Sequence, residues 1–237
     1  MDTTHPAHPT HPLDRPVWAT LVGPHRHLAE GQGLARRYAE DVNLFADTLD
    51  DGPQAQSALV ALVQPGQTIA LLRAAEIAVP AGLRVTRQAP GVQMVATRDL
   101  QGEANADEVV DLGEDDAPDM LALARLTEPG PFLARTHAMG GFVGIRRGGR
   151  LLAMAGERLR PPGYVEVSGV CTHPDARGQG LARRLSAVVA ARIQTRGEQP
   201  FLHAWQTNAP AISLYESLGF RLRTRVQVAM LENPAGG

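Results

Sequence analysis

The chain contains no lysine, and all 23 of its basic residues are arginine. Its Ala, Gly and Pro content agrees with a genomic base bias as the origin. The chemical consequence holds whatever the origin. No lysine can form a Schiff base or reach a nucleotide phosphate, which argues against pyridoxal chemistry and a Walker-type nucleotide site. Cysteine is almost as scarce. Cys171 stands alone, so no internal disulfide can form, and a reducing cytoplasm is the expected compartment. Long apolar runs are missing, and the opening MDTTHPAHPTHPLDRP lacks the basic-then-apolar layout of a secretory signal. Excess positive charge is missing too. A net charge of -2 gives no general pull towards nucleic acid or an anionic membrane, and neither is expected as a partner. What is present is 237 residues, 43% hydrophobic and 20% charged. That profile suits a soluble globular chain with a sizeable core, in one large domain or two small ones.

Residues 1–16 are rich in Pro, His and Thr and are expected to form a disordered tail. His5, His8 and His11 recur every three residues, but the interleaved prolines prevent a helical face. A solvated tail is preferred to a metal tract, and no metal is expected. Residues 17–106 are expected to form a first, smaller α/β module. Its Gly31-Gln32-Gly33 reads as a turn, since no strong strand precedes it. DVNLFADTL reads as a strand, PQAQSALVALV as a helix and TIALLR as a strand. LRVTRQ and VQMVATR are expected to pair as a hairpin around Ala89-Pro90-Gly91. The polar stretch Gln101 to Asp107 is the expected linker.

Residues 108–237 read as a second module. A short strand at Val109–Leu112 precedes a helix from DAPDMLALARLT, whose acids and Pro118 suit its first turn. Phe142, Val143 and Ile145 are expected to pair with Leu151, Leu152 and Met154 in a hairpin turning at Arg147-Gly148-Gly149. FLHAWQT reads as a strand, AISLYESLG as a helix capped by Asn208 and stopped by Gly219, and FRLRTRVQVAML as a half-exposed strand. Helices interleaved with a mixed sheet make this an α/β or α+β architecture.

One stretch organises the module: YVEVSGVCTHPDARGQGLARRLSAVVAA, residues 164–191. Val165, Val167 and Val170 favour a strand, Pro174 and Asp175 break it, and Gly178 and Gly180 open a helix. Glycines between a strand and a helix present backbone amides to an anion, with the helix dipole behind them. Arg177-Gly178-Gln179-Gly180-Leu181-Ala182 resembles the Arg/Gln-x-x-Gly-x-Gly/Ala signature of the GNAT superfamily of N-acetyltransferases. About thirty residues on, Asn208 through Tyr215 to Gly219-Phe220 resembles that family's second signature. The resemblance covers roughly residues 108–237. It is silent on residues 1–106, where no second glycine signature occurs, although a degenerate copy of the fold is one reading of that module.

The resemblance implies a mixed, mostly antiparallel central sheet with a splayed strand pair, flanked by helices. It implies acetyl-coenzyme A as acyl donor, with the pyrophosphate on Arg177, Gly178, Gln179, Gly180, Leu181, Ala182 and Arg183. Val170 and Thr172 would hydrogen-bond the pantetheine arm through their backbones, a Val170 N–H would polarise the acetyl carbonyl, and Asn208 would touch the arm from the other side. Tyr215 is the expected general acid. Glu166, in a partly dry cleft with a raised pKa, or a water, would take the proton of the amine; His203 is a rival base. Cys171 is expected to be packing, so transfer is direct. The acceptor is a small-molecule or protein amine, and a homodimer is compatible with the sequence. The alternative function is a non-catalytic acyl-coenzyme A-binding or regulatory module. A nicotinamide dinucleotide site fits less well, because no acid follows the glycines at the required distance.

Overall fold

The computed structural model describes residues 11–100 and 106–234. The chain begins with helix α1 (Pro16–Leu21), strands β1 (Ala29–Glu30), β2 (Ala35–Tyr38) and β3 (Ala46–Thr48), helix α2 (Pro53–Ala61), and strands β4 (Thr68–Arg73) and β5 (Arg84–Ala96). It continues through β6 (Val109–Leu112), α3 (Ala117–Thr127), β7 (Phe142–Arg147), β8 (Arg150–Glu157) and β9 (Tyr164–Thr172). Helix α4 (Leu181–Thr195), β10 (Gln199–Trp205), α5 (Ala209–Ser217) and β11 (Phe220–Glu232) complete it. Among the described residues no helix is long and apolar enough to cross a membrane.

Strands β1 to β3 form a small antiparallel sheet, and Gly31 and Gly33, at φ of 84° and 64°, make the expected turn between β1 and β2. The other eight strands form one sheet in the order β4-β11-β5-β10-β9-β8-β7-β6. Every neighbouring pair in it is antiparallel except β9 and β10. That parallel pair needs a crossover, and α4 supplies it. The apolar faces of α4 and α5 bury Leu181, Leu185, Val188, Ile193 and Leu218 against Val165, Val167, Leu202 and Met94 on one side of the sheet. On the other side Leu13, Val17, Leu21, Tyr38 and Phe45 pack against Leu72, Phe201 and Val226.

Three expectations need correction. The sheet crosses the proposed boundary at Gln101–Asp107, because β5, from the N-terminal half, lies between β10 and β11. The strands expected as a hairpin at residues 83–98 are one 13-residue strand, β5, paired along its whole length with β11. Pro90 is tolerated because β10 ends opposite Gly91, so one edge of β5 is free of the ladder from there on; the Gln206 amide donates to the Pro90 carbonyl at 3.2 Å. Of DVNLFADTL, only Ala46–Thr48 is extended; Asn43 Oδ1 accepts from the Phe45 amide and turns the chain before it.

The expected tail is also shorter. Residues 1–10, with His5 and His8, lie outside the described residues, but residues 11–16 belong to the fold. Leu13 is fully buried, its carbonyl accepts from Gln93 Nε2 at 2.8 Å, and Asp14 pairs with Arg223 at 2.6 Å. His11 Nε2 lies 3.2 Å from the Tyr164 hydroxyl. Leu13→Ala is expected to lower stability by about 2–5 kcal/mol, the usual cost of emptying a packed aliphatic site. Urea denaturation checks this, as a lower midpoint with an unchanged slope.

Candidate active site

Strands β9 and β10 run side by side for only three residue pairs, ending at Glu166 with Phe201. Beyond that point β9 follows β8 and β10 follows β5, so the two strands part. A bulge reinforces the divergence. Met154 faces Cys171 and Gly156 faces Ser168, so Ala155 alone opposes both Gly169 and Val170. Such a bulge bends the strand and disrupts the ladder locally. Gly169 has φ 62°, and a Cβ there would lie 2.8 Å from the Phe142 ring, so both backbone and space select glycine.

The parting strands open a cleft of about 930 Å³ that passes through the sheet. Its walls include Val170, Ala204 and Tyr215, which belong with the α4–α5 side. They also include Phe45, Ala70, Leu72 and Val226, which belong with the opposite side. Two reactants can therefore meet from opposite faces.

The glycine loop stands outside this cleft, at the end of β9. A short 3-10 turn at Pro174–Ala176, with Ala176 buried, leads into it. Residues Arg177 to Gly180 are exposed, and Leu181 is buried and fixes the first turn of α4. Gly178 and Gly180 have φ of 78° and 72°, with nothing within 4 Å of where a Cβ would be. The first helical bond runs from the Arg184 amide to the Gly180 carbonyl, so the amides of Leu181, Ala182 and Arg183 precede it. Arg147 donates to Gln179 Oε1 at 2.7 Å and steadies the loop. The loop is thus an open cradle of amides at the positive end of a 15-residue helix.

Thr172, the last residue of β9, has a buried Oγ1 with no hydrogen-bond partner. Asn208 lines the cleft, and its Oδ1 caps α5 by accepting from the Ala211 amide at 3.2 Å. The far end of α5 is closed by Arg98, which donates to the carbonyls of Leu218 and Ser217 at 3.1 Å each. Gly219, at φ 92°, follows, and Phe220 is buried with its ring centroid 6.0 Å from that of Tyr215. These contacts hold Tyr215 in the cleft wall, 8% exposed. Burial, and then the negative Glu166, push its pKa up to about 12. The Cys171 thiol is buried and pushed up to about 11, mainly by desolvation. Among the described residues no cluster of His, Cys, Asp and Glu could hold a metal.

Glu166 is placed differently from expectation. It is fully buried. Arg158 grips it twice, from NH2 to Oε1 at 2.6 Å and from Nε to Oε2 at 2.8 Å. His203 Nδ1 lies 2.7 Å from Oε1, and the Leu159 amide donates to Oε2 at 3.3 Å. Four donors occupy the four lone-pair sites of the carboxylate. Burial alone would raise its pKa, but Arg158 and His203 outweigh burial and hold it at about 2. The expected raised pKa is therefore corrected to a lowered one.

His203 is equally engaged. Gln93 Oε1 accepts from Arg223 at 2.8 Å, which fixes Gln93 Nε2 as the donor to His203 Nε2, 3.0 Å away. The imidazole then accepts at Nε2 and donates from Nδ1 to Glu166. Arg158, Gln93 and Arg223, 65 to 130 positions apart in the chain, were missed by sequence reasoning, since no local pattern connects them.

A family model described as FR47-like protein matches residues 142–228. A crystal structure of a putative acetyltransferase of the GNAT family from Novosphingobium aromaticivorans is 46% identical. The match covers 94% of this chain and 98% of that one, with a TM-score of 0.88. A GCN5-related N-acetyltransferase from Kribbella flavida, 21% identical with a TM-score of 0.62 over 94% of this chain and 96% of that one, shares the fold. Mycothiol acetyltransferase of Thermomonospora curvata is 32% identical over 151 residues, 61% of this chain and 46% of that protein. The chain spans less than half the length of the curated relatives it matches. By its near full-length similarity to the Novosphingobium protein and by its sheet, the chain belongs to the GNAT family of acetyltransferases.

Proposed function

We propose that the protein transfers an acetyl group from acetyl-coenzyme A to a primary amine by direct attack. The observation that carries this reading is the cleft through the sheet at the parting of β9 and β10, with Tyr215 in its wall and the amide cradle of α4 beside it. The residues fit the donor. Gly178 and Gly180 leave open space for close backbone approach, and Gln179, Leu181, Ala182 and Arg183 supply amides for a pyrophosphate. Arg177 and Arg183 add guanidinium charge. Val170, Thr172 and Asn208 flank the path of the pantetheine arm, and the unpartnered Thr172 Oγ1 supports a polar contact there. Bound in this way, the coenzyme supplies an activated thioester.

The remaining chemistry belongs to the chain and the acceptor. The amine nitrogen bonds to the acyl carbon and the C–S bond breaks. Tyr215, kept protonated by its raised pKa, gives its proton to the departing sulfur. The surplus proton of the amine leaves to solvent, and Tyr215 regains a proton from solvent before the next turnover. Neither Glu166 nor His203 has a lone pair left to take it, which favours a water over the carboxylate as acceptor of the proton. In this reading Glu166 positions the strands.

Tyr215→Phe is expected to lower kcat about 10²–10³-fold, within the usual range for loss of a general acid, with little change in the KM for acetyl-coenzyme A. Thiol release with an amine panel measures it, and an unchanged kcat would remove Tyr215 from the mechanism. With its pKa at about 12, Tyr215 should impose no falling limb on the rate up to pH 10.

Glu166→Gln leaves Arg158 buried without its charge partner, a loss of about 3–5 kcal/mol. The melting temperature should fall by roughly 10 °C. The wild-type carboxyl has a folded pKa of about 2 against an ordinary 4.5. Because the folded value is the lower one, the stability it contributes is present above about pH 4.5 and is lost as pH falls towards 2. That contribution is on the order of 3 kcal/mol. Urea titrations at pH 7 and pH 3 should show wild type and Glu166→Gln converging at the lower pH.

A further inference from the structure

The acceptor half of the cleft has a definite chemistry. Its floor is one face of the sheet at successive register positions. Ala70, Met230 and Arg87 form one row across β4, β11 and β5. Leu72 and Val228 begin the next, and Val226, Gly91 and Trp205 form the third. Phe45 closes one side, from the segment before β3. The floor is mainly aliphatic and ends at the Trp205 ring, and Phe45 stands at its side.

Four charged side chains line the same cleft: Arg87, Arg125, Glu128 and Arg158. Arg158 is already matched by Glu166. Arg87 lies 5.3 Å over the Trp205 ring, which fixes its guanidinium at the edge of the floor. Neither Arg87 nor Arg125 forms an ion pair among the described residues. Glu128 ends α3 in a left-handed conformation, at φ 48°, a strained state for a residue with a side chain. The pairing left open is two guanidiniums and one carboxylate around an apolar floor.

We propose that the acceptor is an amino-acid-like molecule: a primary amine on an apolar body that also carries a carboxylate. The proposal rests on the acetyl transfer inferred above and names the substrate class of that site. The apolar body lies on Val228 and Met230, the half-buried members of the floor, with Leu72 and Val226 buried beneath them. The carboxylate meets Arg87 and Arg125, whose five-donor guanidiniums suit it. Glu128 faces the ammonium as it enters. The two arginines repel an acceptor whose only charge is positive, so polyamines are disfavoured.

The test compares matched acceptors in the thiol-release assay: leucine against leucinamide, and phenylalanine against phenethylamine. The carboxylate member of each pair should have the higher kcat/KM, about ten-fold or more, as a charge-assisted hydrogen bond implies. Arg87→Gln and Arg125→Gln should each shrink that preference through KM, and Arg87→Lys should restore part of it. Both arginines are exposed, so unchanged melting temperatures are expected to separate recognition from folding. Equal or better use of the carboxylate-free partners, with no response to the arginine variants, would overturn the substrate class while acetyl transfer stands. No thiol release with any amine would overturn the transfer itself, and the substrate class with it.

Discussion

The architecture depends on one buried carboxylate. Glu166 sits at the last residue pair that β9 shares with β10. Where the backbones stop bonding to each other, its side chain takes over. It bonds to His203 of β10, to Arg158 just past β8, and to the Leu159 amide. His203 passes the connection to Gln93 of β5, and Gln93 to Arg223 of β11 and the Leu13 carbonyl. Strands that part in this way would otherwise be free to slide or close. A fully satisfied polar network in a low-dielectric interior resists both, because any displacement leaves a buried group without its partner.

That arrangement explains why the glycine loop and the α5 segment were legible in the sequence and the middle of the site was not. The cradle is local. Gly178 and Gly180 need left-handed backbone, Leu181 anchors the helix, and all of it falls within six residues. The Asn208-to-Phe220 segment is local as well, with a cap at one end and Gly219 at the other. The network is not local. Its members come from residues 13 to 223, and only tertiary pairing brings them together. A glutamate on a strand before a glycine loop carries no sign of whether an arginine will grip it. Its role therefore depends on Arg158, whose approach follows from the way the chain leaves β8, with the Arg158 amide donating to the Glu166 carbonyl at 3.0 Å.

The same distinction separates correct and corrected strands. The β7–β8 hairpin turns at Gly148 and Gly149, both with positive φ, and such a turn is written in the residues themselves. Strand β5 offers Ala-Pro-Gly, the composition of a turn, yet stays extended through it. Its partner β11 supplies a template along all 13 residues, and the free edge beyond β10 removes the penalty for Pro90. Tertiary context overrode a local signal there, as it did for Leu13, whose burial no composition of the Pro- and His-rich start could announce.

Insertion of β5 between β10 and β11 also places the far wall of the cleft. Without it β11 and β4 would not reach the cleft, and the apolar rows of Val226, Val228, Met230, Ala70 and Leu72 would lie elsewhere. In the function proposed above the C-terminal signatures hold the donor, while the N-terminal half supplies strands β4 and β5 and Phe45 for the other reactant. The two halves meet through Gln93, which touches His203 on one side and Arg223 and Leu13 on the other. A change in acceptor preference can arise in the N-terminal half, at residues such as Arg87, without disturbing the amide cradle. A change at Gln93 cannot stay confined in that way, since its amide fixes the tautomer of His203 and so the donor set around Glu166.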